Sequence, residues 1–125
     1  MIRYVGILFM AVWLGGCSRR AEPGTVRSSS DVLTREEMET VPVDNVYDAV
    51  RRLRPTYLRA RTTASSRMAY ATVYVDGVRR GSPEVLRSMS PRSVAEVRYL
   101  TPAVATTRFG GNVPGGVIEV KSGRP

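Results

Sequence analysis

A chain of 125 residues suits one small domain, and an apolar fraction of 42% is too high for a wholly disordered polymer. The formal charge is +8, and 18 of the 19 basic residues are arginine. That surplus fits an anionic partner, although a GC-rich coding bias gives the same composition. The absence of histidine removes the commonest general base, the usual activator of Ser or Cys nucleophiles and the commonest metal ligand.

The first element is a leader. Met1-Ile2-Arg3 carries one positive charge, and Tyr4 to Leu14 is apolar and uncharged. That stretch is well short of the about 20 residues a membrane-spanning helix needs, but it has the length of a signal-peptide apolar region. It runs into Leu14-Gly15-Gly16-Cys17, which resembles the lipobox of bacterial lipoproteins. The resemblance implies cleavage before Cys17 and lipid attachment at Cys17, with residues 1–16 a lipoprotein signal peptide. Cys17 is the sole cysteine, so no intramolecular disulfide can form. Ser18 stands where an inner-membrane retention signal would have Asp. The expected location is therefore the outer membrane, lipid-anchored on its periplasmic side. Residues 17–30 are rich in Ser, Arg, Gly and Pro and read as a flexible tether.

The folded unit is expected over 31–125. Thr34 followed by Glu37 predicts a capping box opening a short helix, which Val41-Pro42-Val43 interrupts. A second helix is predicted with Asp44 as N-cap. Val46, Ala49, Val50 and Leu53 make its apolar stripe, an Asp48–Arg52 pair lies on its outer face, and Pro55 is its stop. Ala69 to Val75 reads as one strand, with Asp76-Gly77 the turn after it. Glu84 to Met89 reads as helix, with Val85, Leu86 and Met89 on one side, and Ser90-Pro91 opens one further helical turn to Val94. Val97 and Tyr99 alternating with Arg98 and Leu100 predict a strand. A last strand follows, with Val117, Glu119 and Lys121 on one face and Ile118 and Val120 on the other. The expected fold class is α+β, a small mixed β-sheet with short helices on one face.

Between those strands lies Phe109-Gly110-Gly111-Asn112-Val113-Pro114-Gly115-Gly116. The glycine spacing at 110 and 115 matches a phosphate-binding loop, but Gly116 stands where that loop has lysine, and a strand follows where it has a helix. The segment is read as a turn that lets the final strand enter the sheet, with Phe109 buried at the domain's end. Pairs such as Asp76 with Glu84, or Ser122 beside Lys121, could suggest catalysis, but two carboxylates so spaced are unremarkable, Asp76 more simply makes the turn, and water would not be excluded at Ser122. No constellation has the make-up of an active site, so no catalytic, cofactor-binding or metal residue is assigned.

Met89 to Gly123, with Ser90-Pro91, Glu96 to Leu100, Thr101-Pro102, Phe109-Gly110 and Gly115-Gly116 in order, is similar to the plug domain of TonB-dependent outer-membrane receptors. Val73 to Val78 and Leu33 to Pro55 resemble the family's upstream strand and opening helices, so the likeness runs from about Asp31 to Gly123. The resemblance implies a plug-like α+β fold; in that family a receptor barrel follows the plug, and here the length is expected to leave no room for one. Twenty-two strands of about 9–11 residues would exceed the whole chain. It also implies a non-catalytic protein-interaction role linked to outer-membrane transport. The expected partners are the membrane, through the lipid anchor, and an outer-membrane barrel or transport protein; nucleic acid is not expected. The alternative is a cationic lipoprotein that binds lipopolysaccharide or another polyanion, recognised by steep salt dependence.

Overall fold

The computed structural model describes residues 31–123. The signal peptide, Cys17 and the tether read from the sequence lie outside these residues. The chain opens with a three-residue strand, β1 (Val32–Thr34), and turns directly into helix α1 (Arg35–Glu39). The turn is made by the expected capping box. The Glu37 amide donates to Thr34 Oγ1 at 3.3 Å, and the Thr34 amide donates to Glu37 Oε2 at 3.1 Å.

Helix α2 (Val46–Leu53) follows. Its N-cap is Asn45, not Asp44, because the Asn45 side chain is the one that accepts the Asp48 amide, at 2.9 Å. The outer-face pair is Asp48 with Arg51 at 3.1 Å, one residue short of the expected Arg52. Val46, Ala49 and Val50 are fully buried, and Leu53 packs at the edge of the same core. Pro55 ends the helix and starts a 3-10 turn, Pro55–Leu58, that buries Tyr57.

The expected strand over 69–75 is two pieces. Met68–Ala69 (β3) pairs with Arg61–Thr62 (β2) in a small hairpin, while Thr72–Val75 (β4) belongs to the main sheet. The break at Tyr70-Ala71 has a spatial cause. There the backbone lies against Gly115, so close that a Cβ on Gly115 would sit 2.1 Å from the Tyr70 carbonyl oxygen. Asp76-Gly77 forms the expected turn, with both residues at positive φ (48° and 82°), and leads into β5 (Val78–Gly81). The alternation did not announce β5, because it is an edge strand whose side chains are mostly exposed. The 84–89 segment is a 3-10 helix, Pro83–Ser88, that buries Leu86. A second 3-10 turn, Pro91–Ser93, ends just before the expected Val94.

Strand β6 (Val94–Leu100) and strand β7 (Val117–Ser122) complete a five-stranded mixed sheet in the order β1-β6-β7-β4-β5. β7 is the middle strand, antiparallel to β6 and parallel to β4. A bulge between Val94 and Glu96 explains why both Val94 and Val97, three apart, are buried. One face of the sheet presents Leu33, Val73, Val97, Ile118 and Val120 to α1, α2 and the 3-10 turns. This is the main core, and Val46, Val50, Leu53, Leu86, Val97 and Ile118 meet in it as the patterning requires. All of these but Leu53 are fully buried, and each fully buried side chain of this kind contributes about 1.5–3 kcal/mol.

The opposite face carries a helix that the small-residue run concealed. Pro102–Phe109 is α3, with Thr101 as N-cap, Pro102 at its first position and Gly110 at its end. Its Ala105 packs with Leu100, Val113 and Val117 in a second, smaller core. Helices therefore lie on both faces of the sheet rather than on one. Phe109 is half-buried and stacks on Tyr74, ring centroids 4.2 Å apart.

Candidate docking surface

The glycine segment is the turn it was read as. Gly110 and Gly111 adopt φ of 69° and 71° and reverse the chain after α3. Gly116 has φ of 82° and donates to the Val113 carbonyl at 2.9 Å. Its own carbonyl accepts from the Thr72 amide at 3.0 Å, which begins the β4–β7 ladder. Tyr99 Oη donates to the Gly115 carbonyl at 3.0 Å and pins the turn to β6. A Cβ on Gly116 would lie 2.4 Å from that hydroxyl, so both space and φ demand glycine there. The helix precedes the glycines instead of following them, so no helix N-terminus faces an anion across this loop.

The two pairs considered for catalysis are otherwise engaged. Asp76 accepts from the Ser122 amide at 2.9 Å and from the Ser122 hydroxyl. These two bonds hold its carboxyl below the usual aspartate range, which makes it a weaker base and a better clasp on the end of β7. Glu84 is held by Arg87. Lys121 reaches across to Glu96 at 2.6 Å rather than to Ser122. Among the described residues no three metal-ligating side chains gather.

What the fold does build is surface. Beyond the small patch that α3 covers, its side of the sheet is charged. Glu119 is buried in the middle strand, and Arg108 from α3 clamps both its oxygens at 2.9 Å. Beside it Glu96 takes Lys121 at 2.6 Å and Arg98 at 3.6 Å. Sequence patterning placed Glu119 and Lys121 on one face, but the clamp escaped it because α3 was not foreseen.

On the other side, the β2–β3 hairpin lies over the sheet through Arg61, whose guanidinium sits 4.5 Å from the centre of the Tyr99 ring. Tyr99 stacks in turn on the buried Tyr57, at 5.5 Å. Burial raises the hydroxyl pKa of both tyrosines. From β3 into the break that follows it, small residues turn inward and large ones outward. Ala71 is buried, whereas Met68 and Tyr70 are 65% and 62% exposed. Tyr70 borders a cleft of about 360 Å³ with Tyr47, Leu58 and Pro83. No described helix is long and apolar enough to cross a membrane.

The TonB-dependent Receptor Plug Domain family model matches residues 23–117. The match starts within the segment read as tether and ends at the first residue of β7. No curated protein matches the chain. The match takes in the opening capping box, the Asp-Gly hairpin and the glycine turn, and stops where the central strand β7 begins. The chain belongs to the TonB-dependent receptor plug domain family.

Proposed function

We propose that this protein is a lipid-anchored, periplasm-facing component of the outer membrane that works by contact with a transport barrel and performs no catalysis. The observation that carries the reading is the plug-family match across most of the folded unit. Plug domains are associated with TonB-dependent transport at the outer membrane. The charged half-face of the sheet supports the contact role, because Glu96, Arg98, Lys121 and the Arg108–Glu119 clamp suit the polar lining of a barrel better than an apolar neighbour. Cys17 is the lipid attachment site of this reading, and the Leu14-Gly15-Gly16-Cys17 sequence supports it. More than one acyl chain is needed for stable anchoring, so a multiply acylated Cys17 would keep the module at the membrane.

The test has two arms. The full chain expressed in a Gram-negative host is expected to incorporate radiolabelled palmitate, and Cys17→Ser to abolish the label and shift the protein out of the outer-membrane fraction. Cross-linking of the full chain in intact outer membranes is expected to recover a β-barrel transport protein. Recovery of bulk lipoproteins alone would refute the contact role, and an unlabelled wild-type chain would refute the anchor.

A further inference from the structure

From the hairpin surface we infer a second, peripheral membrane contact: the β2–β3 hairpin docks on anionic phospholipid, with arginine side chains at the phosphates and Met68 and Tyr70 in the interface. Between Asp48 and Asp76 the sequence contains six arginines and no acidic residue. Arg51 and Arg54 are neutralised by Asp48 and Glu37, and Arg61 is turned inward onto Tyr99. Arg59 and Arg67, which flank the hairpin strands, are exposed, and neither forms an ion pair among the described residues. Glu84 borders the Tyr70 cleft, and Arg87 already holds it.

Charge alone would serve any polyanion; the neighbouring side chains choose between partners. Met68 stands opposite Thr62 and is exposed, and Tyr70 continues the same outward alternation. Methionine offers no flat ring for a nucleotide base to stack on. A flexible thioether beside a tyrosine, flanked by arginines, matches the apolar-below, charged-above layering of a lipid interface. The inward residues at this place, Ala69 and Ala71, are small, so the hairpin presents its bulk to the outside rather than to its own core. The inference goes beyond the contact role proposed above and does not require Cys17 to be acylated.

The probe is the chain from Ser18 onward, which retains both cores and every strand pair of the described fold. It is co-sedimented with vesicles of phosphatidylcholine and phosphatidylglycerol in equal parts, and with phosphatidylcholine alone. Binding is expected to the anionic vesicles only, and to weaken as salt rises. Arg59→Gln with Arg67→Gln, both exposed positions, is expected to cut affinity about 25-fold, at about fivefold per basic residue near an anionic surface. The only tryptophan of the protein, Trp13, is absent from this probe, so Tyr70→Trp supplies a single reporter. Its emission is expected to shift to the blue on anionic vesicles. Equal binding to neutral vesicles, an unaffected double variant, an unshifted reporter, or binding to a single-stranded RNA without binding to vesicles would each overturn the inference. Because the probe lacks Cys17, such a failure leaves the lipid-anchor and barrel-contact readings untouched.

Discussion

Two side chains show how single groups hold this fold. Arg108 holds both oxygens of Glu119, a carboxylate 5% exposed in the middle of the sheet, and is its one ion-pair partner among the described residues. Arg108→Ala leaves that charge buried and unpaired, and is expected to destabilise the protein by about 1–3 kcal/mol in denaturant unfolding. Glu119→Gln, which removes the charge itself, is expected to cost less. Asp76 works at the C-terminal end of β7, on Ser122. Its ionised form is the one that the Ser122 amide and hydroxyl stabilise, so its folded-state pKa lies below the unfolded value. Its contribution is complete above the ordinary aspartate range and declines as pH falls through the lowered value. Asp76→Asn tolerates the positive φ of 48° and is expected to keep the turn while flattening the acid limb of the stability–pH curve.

At the level of elements, the parts set by near neighbours in sequence were legible and the parts set by distant ones were not. The Thr34–Glu37 capping box and the Asp76-Gly77 turn depend on atoms at most three residues apart, and both form as read. The shift of the α2 cap from Asp44 to Asn45 is the same physics one residue out, since either side chain could have accepted an amide. Helix α3 carried a legible signal in Thr101-Pro102 at its start and Gly110 at its end, but Ala, Val and Thr between them give no amphipathic stripe. Its packing on Leu100 and Val117 is what makes it worth forming. The glycine turn is tight in the same non-local way. Gly116→Ala would set a Cβ against the Tyr99 hydroxyl at an unfavourable φ. It is expected to lower stability by about 1–3 kcal/mol, read from the unfolding midpoint, and to release the Tyr99–Gly115 bond.

At the scale of the whole molecule, β7 is the strand on which everything closes. It supplies Ile118 and Val120 to one core and Val117 to the other, and it joins the β1–β6 half of the sheet to the β4–β5 half. Deleting residues 117–125 is expected to abolish cooperative unfolding monitored by circular dichroism, because two separate half-sheets remain, each with an exposed apolar face. By itself the sequence determined the α+β class, the two-sided character of β7, the main core and the glycine turn that feeds the last strand. Those follow from side-chain periodicity and from which residue types stand next to the glycines. Only the tertiary structure decided that helices flank both faces, that the 69–75 segment divides at Tyr70, and that Arg108 clamps Glu119. The physical reason is that each of these depends on a contact between groups brought together by the chain's path. The Tyr70 carbonyl meets Gly115 and α3 meets β7 only once the final strand has slipped between β6 and β4.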